Sequence, residues 1–153
     1  MGLDMWLEGK NSDGSTTEIA YWRKANAIHK WFVDNVQDGI DDCRSSVVTR
    51  EKLNELLEVC NNVVKTATFI DGTISNGSHM SPETNGKWVD DYIEGKVIEN
   101  PEVIEKLLPT QGGFFFGSTG YDEYYFQDVK ETVVQLQKAL ALEFKEFVYQ
   151  SSW

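Results

Sequence analysis

Residues 2–22, GLDMWLEGKNSDGSTTEIAYW, decide the fold class. Leu3, Met5 and Leu7 alternate with Asp4, Trp6 and Glu8, and a period of two predicts a strand over residues 2–8. The polar run GKNSDGST, residues 9–16, is turn-forming. Glu18 to Trp22 predicts a second strand, so the stretch reads as an antiparallel hairpin with a long loop.

Beyond Trp22 the period changes. Ala25, Ile28, Phe32 and Val36 recur at helical spacing, with Trp31 widening the stripe, which predicts a helix over 23–36. Gly39, in QDGIDDCRSS, closes it. Val47 and Val48 suit a short extended piece. Thr49 suits the cap of a helix over 50–68, whose apolar stripe is Leu53, Leu56, Leu57, Cys60, Val63 and Val64. Residues 71–87, DGTISNGSHMSPETNGK, carry few apolar side chains and read as a flexible loop insertion. Trp88 to Ile93 reads as a short helix or strand. Asn100-Pro101 opens a brief helix that ends by Leu108-Pro109. GFFFG, residues 113–117, reads as a buried aromatic strand. Val129, Val133, Leu136, Leu140, Phe144 and Phe147 predict one long helix over 124–149. The expected fold is therefore α+β: a small, mainly antiparallel sheet with strands near 2–8, 18–22 and 113–117, packed against three main helices at about 23–36, 50–68 and 124–149. Residues 1–153 form a single domain with the loop insertion at about 71–87.

Charge narrows the function. Fourteen Lys and Arg against 25 Asp and Glu give a net charge of −11. A field of that sign repels nucleic-acid backbone and anionic membrane, so neither is an expected partner. Cys43 and Cys60 are too few for a disulfide framework and form no CxxC pair, which fits reduced thiols in a cytoplasmic protein. The N-terminus has no basic stretch followed by an apolar core, and no apolar run nears the roughly 20 residues of a membrane helix. Position 6 is Trp where a myristoylation signal needs Ser or Thr.

Two clusters could carry binding chemistry. YWRKANAIHKWF, residues 21–32, gathers Arg23, Lys24, His29 and Lys30. On a helix, Arg23, Asn26 and Lys30 would share one face that holds a phosphate or carboxylate, with Trp22 to stack on a base. TQGGFFFGSTGYDEYY, residues 110–125, places Gly117, Ser118 and Thr119 at a turn into a helix, where backbone N–H groups can take an anion. Its aromatic density exceeds what a core needs, so rings such as Tyr121 belong at a pocket or interface. Asp38, Asp41 and Asp42 in QDGIDDC lack the EF-hand spacing and read as a turn with solvated charges, so no metal is expected. There is no Walker lysine, GxGxxG, nucleophile elbow or legible Ser/His/Asp order. The reading leans away from an enzyme, and no catalytic residue or cofactor is expected.

Three segments together, MGLDMWL, EIAYWRKANAIHKWFVDNVQDGIDDC and LLPTQGGFFFGSTGYDEYYFQDV, resemble an uncharacterised family of small phage and prophage proteins. The resemblance implies an accessory protein acting in the bacterial host cytoplasm, where such proteins often counter host defence. The expected function is then non-catalytic anti-defence binding that sequesters a small anionic ligand, such as a nucleotide immune signal. Its ligand-binding residues would be Trp22, Arg23, Asn26, His29, Lys30, Gly117, Ser118, Thr119 and Tyr121, in a pocket that a homo-oligomer could complete. The alternatives are an acidic inhibitor that covers a site on a host defence protein, and a nucleotide-processing enzyme using His29 with an aspartate.

Overall fold

The computed structural model describes residues 2–113 and 115–153. Strands β1 (Asp4–Lys10) and β2 (Thr16–Arg23) form the expected antiparallel hairpin, paired from Asp4 opposite Arg23 to Lys10 opposite Thr16 with a register shift between Leu7 and Glu8. Helix α1 (Asn26–Val36), strand β3 (Ser46–Thr49) and helix α2 (Arg50–Thr66) follow. A second hairpin, β4 (Phe69–Ser81) and β5 (Lys87–Ile98), precedes α3 (Pro101–Leu107), α4 (Glu123–Ala141) and β6 (Glu146–Ser152). The main sheet has the order β2-β1-β6-β3, with every neighbouring pair antiparallel.

Alternation sets which face of this sheet is buried. Leu3, Met5 and Leu7, Ala20 and Trp22, Val48, and Phe147 and Tyr149 are all buried, and they meet Leu53, Leu56 and Cys60 of α2 with Val129 and Leu136 of α4. Phe32 stacks on Tyr149 at 3.9 Å between ring centroids. Burial pushes the Cys60 thiol up to about 12, in keeping with a small core residue. Thr49 caps α2, its hydroxyl accepting from the Lys52 N–H at 3.2 Å.

The structure corrects four expected elements. Helix α1 starts at Asn26, not at 23. The Lys24 N–H still bonds the Leu3 carbonyl at 2.8 Å, which keeps the chain on the sheet, and Lys24 turns it with a left-handed φ of 56°. Arg23 is therefore a strand residue, and the helix face of Arg23, Asn26 and Lys30 does not exist. Residues 71–81 are strand where a loop is expected, paired along β5, with a bulge between Ser75 and Ser78. The described part of 113–117 is no strand. Phe115 has φ 58° and the Phe116 N–H closes a turn on the Gly113 carbonyl at 3.2 Å, while Phe114 lies outside the described residues. The last long helix stops at Ala141. There the Arg50 guanidinium caps it by donating to the carbonyls of Leu140, Leu142 (3.0 Å) and Phe144 (2.7 Å). The chain after it becomes β6, the strand between β1 and β3.

Candidate ligand-binding cleft

A cleft of about 1070 Å³ opens where four elements meet: the β2–α1 junction, the 110–121 loop, the start of α4 and the β4–β5 hairpin. Arg23, Asn26, Gly117, Ser118, Thr119 and Tyr121 line it; Trp22, His29 and Lys30 do not. Two segments nearly ninety residues apart in sequence are thus brought to one concavity.

Asn26 makes that junction. It is 4% exposed, its side-chain amide donates to the carbonyls of Phe116 (3.1 Å) and Ser118 (2.9 Å), and its Oδ1 accepts from the Gln111 N–H at 3.0 Å. With its hydrogen bonds committed to the loop, Asn26 positions the wall and leaves ligand contact to others. Thr110 braces the neck. Its hydroxyl donates to the Thr119 carbonyl at 2.9 Å and its N–H donates to the Tyr121 hydroxyl at 3.1 Å. Gly117, at φ +88°, lies so close to Lys24 that an added Cβ would come within 3.3 Å of the Lys24 backbone and side chain. Ser118 Oγ accepts from the Gly120 N–H at 3.0 Å, so that amide is occupied. Among the described residues the N–H groups of Gly117, Ser118 and Thr119 donate to no protein acceptor, and all three residues are exposed.

The charged side chains divide by sign. Arg23 donates to Asp4 at 2.8 Å, and Tyr21 also donates to Asp4. The Tyr21 hydroxyl first, and Arg23 second, hold the Asp4 carboxyl below its ordinary range, while Asp4 raises Arg23 in return. Lys24 is exposed, and among the described residues no ion pair reaches its ammonium. Opposite them, Asp122 is buried as the cap of α4, accepting from the N–H groups of Tyr124 (3.0 Å) and Tyr125 (3.1 Å). Burial raises its carboxyl despite those bonds. Asp128 is raised further, to about 7, by burial first and then by Glu131 and Asp122. Aromatic faces complete the lining. Trp88 is 62% exposed and Tyr92 61%, and strand alternation puts both on one side of β5; Tyr124 reaches Asn76 through its hydroxyl at 3.2 Å.

The remaining expected residues have structural roles. Trp22 is buried and its Nε1–H donates to Thr132 Oγ1 at 2.9 Å, which ties β2 to α4 and leaves no face for a base. Lys30 pairs with Asp34 one helical turn on, at 2.7 Å. His29 is fully buried, and both ring nitrogens are engaged: Nε2–H donates to Asp41 at 2.9 Å and Nδ1 accepts from the Tyr149 hydroxyl at 2.6 Å. That tautomer is fixed by Asp41, which as a carboxylate can only accept. Burial lowers the His29 pKa despite Asp41. Asp41 also takes the Trp153 indole N–H at 3.0 Å, so the cluster pins the C-terminus to α1.

Lys24, Trp88, Tyr92, Tyr124 and Asp128 are cleft residues absent from the expected set. Lys24 was legible as half of an Arg-Lys pair, and Trp88-Asp90-Tyr92 as a period of two. Nothing around Asp128 in the sequence marks it. No protein-family model, no curated protein and no solved structure matches the chain.

Proposed function

We propose that this protein binds a small anionic ligand bearing an aromatic ring, of the nucleotide class, in the cleft and holds it without chemical change. The observation that carries the reading is the convergence of Lys24 with the exposed Gly117–Thr119 amides and the rings of Trp88, Tyr92 and Tyr124. The Lys24 ammonium and the free backbone donors suit phosphate oxygens, and exposed aromatic faces suit a base. The cleft volume lies just above the usual range of small-molecule sites. Together with the resemblance to phage accessory proteins, binding of this kind amounts to sequestration of a nucleotide immune signal in the host cell. Turnover by His29 finds no support, because its ring is buried outside the cleft with both nitrogens bonded.

The test is native mass spectrometry of protein purified from bacteria, then calorimetric titration of whatever phosphate-bearing molecule is released. The expected result is an intact ligand in stoichiometric amount. Lys24→Ala should then weaken its binding by roughly tenfold, the scale of one lost charge-assisted contact. An empty protein that binds no member of a nucleotide panel sinks the reading. A second reading, an acidic inhibitor covering a basic site on a host protein, is favoured by exposed Met80, Trp88 and Tyr92 beside Asp90 and Asp91. It requires capture of that protein to weaken steeply with salt.

A further inference from the structure

Asp128 is the least explained residue of the cleft. It sits near the start of α4 and lines the concavity, yet among the described residues no hydrogen bond or ion pair reaches its carboxylate. Charged and titratable groups line the same cleft from each element around it, Tyr124 and Tyr125 of α4 among them. Asp122 and Glu131 share its helix, Arg23 and Lys24 come from the β2–α1 junction, Asp90 and Tyr92 from β5, and Tyr121 from the loop. Arg23 is paired with Asp4, and the charges that act on Asp128, Glu131 and Asp122, are both acids. A partly buried carboxylate among acids is costly unless donors meet it when the site is filled.

Its place along α4 says where that donor would stand. Gln135 exchanges hydrogen bonds with the Tyr21 backbone, and Thr132 takes the Trp22 indole while donating to the Asp128 carbonyl. Helix α4 and strand β2 thus run side by side, pairing 135 with 21 and 132 with 22. One helical turn before Thr132, Asp128 lines the cleft that Arg23 and Lys24 also line. A ligand whose phosphate lies at Lys24 thus shares its cleft with the Asp128 carboxylate.

Resting on the nucleotide reading above, we propose that Asp128 selects the base. Its carboxylate accepts the paired N1–H and N2–H donors of guanine, and the cleft prefers guanine over adenine nucleotides. A carboxylate offers two acceptors side by side, which matches two parallel N–H groups. Adenine presents an acceptor, N1, where guanine presents a donor, so it meets an ionised Asp128 with like-sign dipoles. Protonation of Asp128 replaces one acceptor with an O–H donor and removes that discrimination, so the preference should strengthen as pH rises through about 7.

The experiment is calorimetric titration of the full chain with guanosine 5′-monophosphate and adenosine 5′-monophosphate at about pH 8 and about pH 6. The expected result is guanine binding about tenfold tighter or more at the higher pH, the scale of one bidentate base contact, with a smaller gap at the lower. Asp128→Asn should erase the preference at both, while Lys24→Ala weakens both nucleotides equally. Thermal melting of each variant checks that it is folded. Equal binding of the two nucleotides, or an unchanged preference in Asp128→Asn, overturns the selection and leaves the anion site standing. Binding of neither overturns the selection together with the nucleotide reading beneath it.

Discussion

Asn26 shows how much of the cleft depends on one side chain. A single amide closes three hydrogen bonds across to the 110–121 loop, from a buried position at the start of α1. Asn26→Ala leaves two carbonyls and one N–H without their partner. Each unmade bond costs on the scale of 1–3 kcal/mol where water cannot replace it, and the loop's exposed side allows some replacement. The expected outcome is a loss of about 1–3 kcal/mol in urea unfolding, with faster amide exchange confined to residues 110–121. Unchanged exchange there would show the loop to be held by Phe116 and the Thr110 braces instead. Helical spacing puts Asn26 on one face with Arg23, but Lys24 turns the chain between them, and a lone left-handed lysine leaves no mark in a hydrophobic pattern. His29 misled in the same way. A histidine beside cations suggests chemistry, whereas its partners Asp41 and Tyr149 are 12 and 120 residues away and make it a buried pin.

At the scale of elements, what is legible depends on which face is buried. Strand β1, and helices α1 and α2 apart from their ends, follow patterns written in their own side chains, because each buries one side against the core. The β4–β5 hairpin does not. Most of its distal half is exposed on both faces, so no alternation is demanded, and the bulge after Ser75 shifts the phase of what little exists. Strand β6 failed for the opposite reason. Phe144 and Phe147 continue the spacing of α4, but Phe147, Tyr149 and Ser151 also alternate as a strand, and only the place between β1 and β3 decides. The hairpin can therefore be shortened without dissolving the core. Replacing residues 76–91 with an Asn-Gly turn joins Ser75 to Tyr92, which already face each other, and keeps buried Ile74. Circular dichroism should show a folded protein with one cooperative melt. Because Trp88 and the Asn76–Tyr124 bond are gone, nucleotide affinity should fall about tenfold or more, the scale of one base stack. A chain that no longer melts cooperatively would place the distal hairpin within the folding unit.

Over the whole molecule, burial sets two titrating groups against each other. His29 is held below its ordinary 6.5, so under that pH the unfolded chain binds a proton the native state resists. Its contribution to stability is full above about 6.5 and is lost as pH falls through the lower native value. Asp128 acts in the opposite sense. The native state keeps its proton up to about 7, while the unfolded chain releases it near 3.8. Its contribution is full below 3.8 and is lost as pH rises through about 7, which makes the ionised carboxylate a burden on the fold at neutral pH. The net charge of −11 adds self-repulsion that relaxes toward the pI near 4.5, again favouring the fold at lower pH. Wild-type stability should thus carry both slopes, His29 weakening it toward acid pH and Asp128 weakening it toward alkaline pH. Asp128→Asn removes one of them. Its melting temperature should exceed wild type at pH 8, and the two curves should converge as pH falls toward 4. Tyr149→Phe should cost stability at every pH by stripping the donor from His29 Nδ1, with no such convergence. Differential scanning calorimetry across that range separates the two shapes. Parallel curves for wild type and Asp128→Asn would mean that Asp128 is ionised and solvated in the native protein, as an ordinary surface aspartate is.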